Sequence, residues 1–189
     1  MVIPENTSLP GVISFVPKKH QDARGYFSET FNELSFSEIV GQSVKFVQDN
    51  ESLSVAVGTV RGLHFQTPMY AQGKLVRVTS GKLLDVCVDI RLESKTYGEH
   101  LTIELDSTAG RQLWVPPGFA HGFCTLEPNT TISYKVTDFY NPLADRSALW
   151  NDPEIAVAWP DLADPSQLSN KDKLAPTLSE LKDVGDLFV

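Results

Sequence analysis

Short β-type runs recur along this chain between glycine, proline and asparagine turn signals, and this pattern constrains the fold more than any other feature. Runs that alternate apolar and polar residues are typical of strands with one buried face. They occupy residues 12–16, 26–31, 44–47, 55–65, 75–79, 83–90, 100–105, 112–115, 122–126 and 131–137. The sequence therefore predicts an all-β fold, in the form of a double-sheet jelly roll with short flanking helices.

The clearest alternation follows Ser80-Gly81, a pair that is typical of a hairpin turn. Neighbouring residues of the strand after this turn are expected to point to opposite faces of the sheet. One face carries Leu84, Val86, Val88 and Ile90, and the other carries Leu83, Asp85, Cys87 and Asp89. The pattern predicts a sheet with acidic side chains on one of its faces.

Helical signals are few. Ser35 and Glu38 have capping-box spacing and Gly41 offers a stop, so a helix is predicted to begin at Ser35. A shorter helical tail is predicted after Pro176, whereas the segment 141–165, rich in proline and aspartate, is expected to be mostly loop.

Length and composition limit the class of protein. A chain of 189 residues that is 41% hydrophobic is predicted to form one jelly-roll domain over 1–189. The formal net charge of -8 disfavours nucleic acid as a partner. The start of the chain, at 1–9, is polar, which does not predict secretion. No apolar run reaches the roughly 20 residues of a membrane span, so membrane insertion is not predicted either. The only cysteines are Cys87 and Cys124, and two cysteines do not make a disulfide framework. A reducing cytoplasm is therefore the expected location.

Two motifs place a histidine beside glycine and aromatic residues: RGLHFQ at 61–66 and WVPPGFAHGF at 114–123. The second contains the Pro-x-Gly-x-x-His pattern of metal-binding cupin barrels. The first motif of those barrels carries His-x-His and a glutamate, whereas here His64 is followed by Gln66. Because an open metal site generally keeps three protein ligands, two histidines do not complete one. We expect a cupin-like double-stranded β-helix that uses acid–base chemistry without a metal or cofactor.

Ordered matches along nearly the whole chain give a more specific resemblance. They are DARGYFSETF at 22–31, QDNES at 48–52, GTVRGLHFQTP at 58–68, QGKLVRV at 72–78, DVCVDIR at 85–91, LWVPPGFAHGF at 113–123, YKVTDFYNP at 134–142, WNDP at 150–153 and LSNKD at 168–172. In these segments the chain resembles the dTDP-4-dehydrorhamnose 3,5-epimerase family of metal-independent jelly-roll enzymes. The resemblance implies an isomerase that inverts C3 and C5 beside the C4 ketone of a dTDP-linked 4-keto-6-deoxy sugar.

The resemblance also implies catalytic roles. His64 would remove a proton from the carbon beside the ketone, because imidazole titrates near neutral pH. Asp172 would orient that ring and stabilise its cation, as a triad carboxylate does. Tyr134 would deliver a proton to the opposite face of the sugar. Lys74 and His121 would stabilise the developing oxyanion, and Asp85 would brace His121.

Substrate contacts follow from the same matches. Tyr140 would stack on the thymine, and cationic side chains would bind the diphosphate. Family members are homodimers in which an N-terminal strand reaches the partner's pocket, so Arg24 and Glu29 would act across the interface. The implied contacts are Arg24, Arg61 and Lys171 for the diphosphate, and Glu29, Gln48, Asp49, Asn50 and Asp145 elsewhere on the substrate.

Two positions depart from a simple pattern. Strict alternation over 59–66 would send Arg61 and His64 to opposite faces, so a shared pocket predicts a bulge or bend at Gly62. Asp145 stands where the family usually carries glutamate, which shortens the reach of the carboxylate by one methylene.

Other interpretations remain open. His64 and Tyr134 also suit a core histidine and a core aromatic residue, and the cations suit an ordinary surface. As a whole, the chain is also compatible with a single-centre epimerase that inverts only C3 or C5, a non-catalytic sugar-nucleotide-binding cupin, or a metal-dependent cupin enzyme.

Overall fold

The computed structural model describes residues 4–189, so the first three residues of the polar stretch 1–9 lie outside the described residues. Short strands dominate the described chain, and three α-helices and two single 3₁₀ turns flank them. The strands are β1 (Pro4–Asn6), β2 (Ile13–Phe15), β3 (Lys19–Asp22), β4 (Gly25–Ser28), β5 (Gln48–Ser54), β6 (Val60–Gln66), β7 (Lys74–Ser80), β8 (Lys82–Asp89), β9 (His100–Asp106), β10 (Gln112–Val115), β11 (Phe119–Thr125), β12 (Thr130–Val136) and β13 (Asp145–Ser147). The helices are α1 (Glu33–Val40), α2 (Asn170–Lys173) and α3 (Leu178–Asp183).

Two antiparallel sheets face each other across the main core. One has the strand order β1-β2-β10-β7-β12-β5 and the other β13-β6-β11-β8-β9, while β3 and β4 form a separate hairpin. Alternate side chains of both sheets meet between them: Val76, Val78, Leu113 and Ile132 from the first, and Leu83, Cys87, Leu105 and Phe123 from the second. The all-β jelly roll predicted from the sequence is confirmed.

Further apolar clusters cover the outer faces of both sheets. On the second sheet, Val86, Val88 and Ile90 pack with Leu178 and Leu181 of α3. Strand β8 is therefore buried on both faces, which fits its nearly continuous run of apolar residues from Leu83 to Val88, interrupted only by Asp85. On the first sheet, the outer face packs against α1 and an aromatic cluster that includes Phe15, Phe31, Phe36, Phe46 and Trp114. These layers fix the sheets, and with them the strands that carry the candidate site.

The start of α1 differs from the prediction. The helix begins at Glu33, and the side chain of Asn32, not that of Ser35, accepts hydrogen bonds from the first turn. The predicted stop is correct, because Gly41 takes a left-handed conformation with φ of 76° and closes the helix. The helix after Pro176 is also present, as α3. In the described part of the chain, no helix has the length and apolar character needed to span a membrane.

The predicted strand boundaries fail where strands are polar or short. Strand β5 covers Gln48–Ser54 instead of 44–47, and the run predicted over 55–65 contains a turn before β6 begins. The run predicted over 26–31 shrinks to β4, and the loop predicted over 141–165 contains β13. Strand β5 lies at a sheet edge and β13 at another, where a strand needs few apolar residues.

The predicted irregularity at Gly62 is present in β6. Opposite β11, His64 pairs with His121 and Arg61 with Phe123, so β6 has one more residue than β11 between these pairs. Gly62 has φ of 114°, and a Cβ there would lie 2.6 Å from the Cα of Gly122. This β-bulge needs glycine for both its conformation and its close contact.

Candidate active site

A cavity of about 360 Å³ opens between the two sheets. The first sheet contributes side chains from β5, β7 and β12, and the second contributes side chains from β6 and β13. The cavity is lined by Gln48, Asn50, His64, Phe65, Gln66, Gln72, Lys74, Tyr134, Tyr140, Asp145 and Lys171. Predicted site residues from widely separated segments therefore meet in one place.

His64 is held by a carboxylate from the C-terminal part of the chain. Its Nε2 lies 2.6 Å from Oδ1 of Asp172, the contact expected from the resemblance. Asp172 belongs to α2, whose first turn is capped by Ser169, and is 2% exposed. Burial alone would raise the pKa of Asp172, but the hydrogen bond and charge of His64, together with hydrogen bonds from Ser169 and the backbone N–H of Gly62, hold the pKa below its usual value. Asp172 is therefore ionised at neutral pH, as a group that stabilises an imidazolium must be.

Tyr134 approaches the same cavity from the other sheet. It lies on the same face of β12 as Ile132 and Val136 and packs against the main core. Burial raises the pKa of Tyr134; the positive charge of Arg61 opposes this rise and the negative charge of Asp145 adds to it. The hydroxyl therefore keeps its proton at neutral pH and can act as a proton donor.

Lys74 lies inside the cavity wall on β7. Its Nζ donates a hydrogen bond to the backbone oxygen of His64 at 3.1 Å. Burial lowers the pKa of Lys74 from 10.5 to about 8, although nearby Asp85 and Asp145 favour its charged form. The ammonium group is thus charged at neutral pH and close to the backbone of the candidate base.

A second histidine–carboxylate pair lies next to the first. Nε2 of His121 is 2.9 Å from each carboxylate oxygen of Asp85, the contact predicted for this pair. Asp85 is fully buried and His121 is 7% exposed. His121 is directly opposite His64 on the neighbouring strand, but it is not among the residues that line the cavity.

Strand alternation divides the Gln48-Asp49-Asn50 segment. Gln48 and Asn50 line the cavity, and the amide of Gln48 donates to the side-chain oxygen of Asn50 at 2.7 Å. Asp49 points away from it and forms an ion pair with Lys135 at 2.8 Å. The structure therefore does not bring Asp49 to this cavity, because neighbouring residues of a strand face opposite sides.

Asp145, Lys171 and Tyr140 form a polar cluster at the cavity. One carboxylate oxygen of Asp145 accepts hydrogen bonds from Nζ of Lys171 at 2.5 Å and from the hydroxyl of Tyr140 at 3.3 Å. The negative charge of Asp145 raises the pKa of Tyr140. Tyr140 itself is 57% exposed.

The remaining predicted residues lie outside this cavity. Arg61 donates hydrogen bonds to Ser54 and to the backbone of β5. Arg24, on the exposed hairpin of β3 and β4, forms an ion pair with Asp22 at 2.6 Å. Glu29 lines a separate cavity. The structure thus does not bring Arg24, Glu29 or Arg61 into the cavity of their own chain.

Sequence reasoning also missed contributors to the cavity. Phe65, Gln66 and Gln72 line it but were assigned no site role. All three belong to the matched segments GTVRGLHFQTP and QGKLVRV, so the signal was present and only the direction of each side chain was unknown.

Fold and site together define a jelly-roll protein whose pocket is arranged for acid–base chemistry. Within residues 4–189, no three or more His, Cys, Asp or Glu side chains are grouped in a way that could hold a metal ion. A family model described as dTDP-4-dehydrorhamnose 3,5-epimerase matches residues 6–180. The chain belongs to this family.

Individual relatives support the same assignment. A dTDP-4-dehydrorhamnose 3,5-epimerase of Sinorhizobium fredii is 52% identical over 94% of this chain and 90% of the relative. The crystal structure of a Legionella pneumophila dTDP-6-deoxy-D-glucose-3,5-epimerase with dTDP-4-keto-L-rhamnose is 41% identical, with a TM-score of 0.93 over 100% of this chain and 98% of that one. The crystal structure of a Streptomyces bikiniensis 3'-monoepimerase in complex with dTDP-quinovose is 31% identical, with a TM-score of 0.91 over 97% of this chain and 91% of that one.

Proposed function

We propose that this protein is an isomerase that converts dTDP-4-dehydro-6-deoxy-D-glucose to dTDP-4-dehydro-L-rhamnose by inverting C3 and C5. The observation that carries the proposal is the placement of His64, paired with Asp172, and Tyr134 on opposite sheets of one cavity. A base and an acid on opposite sides of a sugar ring are what inversion of a carbon requires. The relative with 52% identity, a 3,5-epimerase, supports inversion at two centres.

The proposed reaction is a pair of proton transfers at each carbon. His64 takes the proton from the carbon beside the ketone, and the electrons of that bond move to the C4 oxygen to form an enolate. The ammonium of Lys74 stabilises the negative oxygen, with the His121–Asp85 pair beside it. Tyr134 then gives its proton to the opposite face of the carbon, the enolate collapses to the ketone, and the configuration is inverted. Before the second carbon reacts, His64 releases its proton to solvent and Tyr134 takes one up from solvent, so that both groups return to their starting state.

The nucleotide part of the substrate lies towards the cluster of Asp145, Lys171 and Tyr140 in this proposal. The ring of Tyr140 stacks on thymine, and Lys171 binds the diphosphate. Arg61 is left out because its guanidinium donates to Ser54 and to the backbone oxygen of Leu53 outside the cavity. Gln48 and Asn50 contact the substrate in this proposal, which their position in the cavity lining supports. Asp49 is left out because it points away and is paired with Lys135.

A homodimer completes the proposed site. The β3–β4 hairpin exposes 59% of Tyr26 and 70% of Phe27, an apolar surface suited to a second copy of the chain. In such a dimer, Arg24 and Glu29 reach the diphosphate and sugar in the partner's cavity. We also propose a cytoplasmic location, which two buried free cysteines and a biosynthetic reaction both suit.

The stereochemistry of the product tests the function. Purified protein is incubated with dTDP-4-dehydro-6-deoxy-D-glucose, and the product is analysed by NMR. We expect inversion at C3 and C5. Inversion at one carbon only would identify a single-centre epimerase, and binding without turnover would contradict enzymatic function.

A further inference from the structure

The segment that carries Tyr140 is anchored by a buried glutamine. The side-chain oxygen of Gln66 accepts a hydrogen bond from the backbone N–H of Asn141 at 2.6 Å. Its amide nitrogen donates to the backbone oxygens of Tyr70 at 2.7 Å and Phe139 at 3.2 Å. Gln66 is only 4% exposed, and both of its N–H groups are used. The side chain therefore has no donor left for a substrate, although it lines the cavity.

Tyr140 is held on three sides by polar contacts. Gln66 fixes the residues immediately before and after it, and Gln48 accepts a hydrogen bond from the N–H of Tyr140 itself at 3.1 Å. The hydroxyl of Tyr140 donates to Asp145, which is directly opposite Gln66 in the pairing of β13 with β6. Three consecutive backbone positions and one side chain are thus tied to the strands that form the cavity.

Apolar packing does not explain this order. Phe139, Tyr140 and Leu143 are 64%, 57% and 85% exposed, so the segment contributes little to the core. A surface segment with few buried apolar contacts is normally mobile. Here hydrogen bonds to the buried side chain of Gln66 fix the backbone, while Tyr140 itself stays exposed.

We propose that Gln66 is a positioning residue that sets the ring of Tyr140 for nucleobase stacking before the substrate arrives. The inference rests on the proposed function, because it takes the nucleobase to be the partner of Tyr140. A ring that is already ordered loses less conformational freedom on binding, so affinity for the nucleotide rises. Gln66 therefore acts on nucleotide recognition and not on proton transfer, although it is two residues from His64.

Binding measurements with two ligands distinguish the contribution of base stacking from that of diphosphate binding. dTDP carries both the base and the diphosphate, whereas inorganic pyrophosphate lacks the base. For Gln66→Met we expect the Kd for dTDP to rise about tenfold and the Kd for pyrophosphate to stay unchanged. In turnover, KM for the sugar nucleotide rises while kcat stays within about threefold of the wild type.

Gln112→Met is the matched control. Gln112 is 2% exposed and donates to the backbone oxygen of Thr30 at 2.7 Å, so it is also a buried glutamine that ties down a segment. Gln112→Met removes this hydrogen bond, and we expect the variant to have a lower melting temperature but an unchanged Kd for dTDP. Equal weakening of dTDP and pyrophosphate binding in Gln66→Met would indicate general damage and overturn the inference.

A double-mutant cycle tests whether Gln66 acts through Tyr140. In a Tyr140→Ala background, Gln66→Met is expected to cause no further loss of dTDP affinity. If the two substitutions instead raise the Kd for dTDP independently, so that the double variant shows the product of the two single increases, the inference is overturned. A wild-type protein that neither binds dTDP nor inverts its sugar would instead contradict the proposed function.

Amide hydrogen exchange on the wild type provides a test that needs no variant. The N–H groups of Tyr140 and Asn141 are expected to exchange slowly in the free protein and to stay equally protected with dTDP. Fast exchange that slows only when dTDP is added would mean that the ligand orders the segment, and would overturn the inference.

Discussion

Lys74 is a residue whose burial works against stability. It shares the inner face of β7 with Val76 and Val78 and is 9% exposed. Its pKa falls from 10.5 to about 8 because burial disfavours the charged form. This difference corresponds to about 3 kcal/mol. The proposed reaction gives a reason to keep such a residue, since a lysine at the cavity can stabilise an enolate.

The pH dependence of stability follows from the same pKa. Between pH 8 and 10.5 the unfolded chain holds the Lys74 proton more tightly than the folded chain, so the folded state gains stability as the pH rises. Below about pH 8 the full penalty of the buried charge applies.

We therefore expect Lys74→Met to raise the free energy of unfolding at pH 7 by about 2 kcal/mol, and the gain to shrink towards pH 10. Epimerase turnover is lost at both pH values. Urea denaturation at the two pH values measures the effect, with the exposed Lys95→Met as a control that changes little. An equal gain at pH 7 and pH 10 would contradict the buried-charge explanation.

At the scale of elements, the β-bulge in β6 sets the direction of His64. The extra residue between Arg61 and His64 interrupts strict alternation, and the sequence predicted it because one pocket had to receive both residues. The structure retains the bulge but directs Arg61 towards Ser54 and the backbone of β5 rather than into the cavity.

Replacing the bulge glycine is expected to be costly. In Gly62→Ala the new Cβ meets the Cα of Gly122 at 2.6 Å and the backbone oxygen of His121 at 2.8 Å, and these backbone atoms cannot swing aside. We expect a loss of about 3 kcal/mol or more in the free energy of unfolding, measured with urea.

Gly41→Ala isolates the conformational part of this effect. Gly41 also has a positive φ, of 76°, but apart from its immediate chain neighbours nothing crowds the position of its Cβ within 4 Å. Its replacement should cost about 1 kcal/mol. Equal losses for the two variants would show that the close contact with Gly122 is unimportant.

Elements with strong alternation were predictable from the sequence, and polar elements were not. Strands β7, β8, β9, β10 and β12 lie close to their predicted positions because alternate residues enter the core. Strand β5, with the sequence QDNESLS, has almost no apolar signal, since its inner face lines a polar cavity. The start of α1 was displaced because both Asn32 and Ser35 are good caps, and local sequence does not choose between them.

At the scale of the whole molecule, the site joins distant parts of the chain. His64 and Asp172 are 108 residues apart in sequence, and no periodicity links them. Their pairing was predicted only through the family resemblance. The direction of Asp49 followed from strand alternation, but the position of β5 had to be known first.

The proposed dimer predicts complementation between two impaired chains. Arg24→Ala weakens the partner's cavity, whereas His64→Asn disables the cavity of its own chain. In a mixed dimer, one cavity then has both an intact His64 and an intact Arg24. Random exchange of subunits should restore about a quarter of the wild-type activity.

A control pair defines the background of that experiment. His64→Asn and Asp172→Asn both damage the cavity of their own chain, so their mixture should regain no activity. If the mixture of Arg24→Ala and His64→Asn also regains no activity, Arg24 does not act across an interface.

Deuterium incorporation from solvent tests the proton-transfer account most directly. In heavy water, the wild-type protein is expected to exchange the hydrogens at C3 and C5 of the sugar for deuterium, and NMR measures this exchange. Tyr134→Phe is expected to lose epimerisation or to complete it only partly. His64→Asn should abolish exchange at both carbons, while His100→Asn, on β9, should leave it unchanged. Exchange at the wild-type rate in His64→Asn would contradict the assignment of His64 as the base.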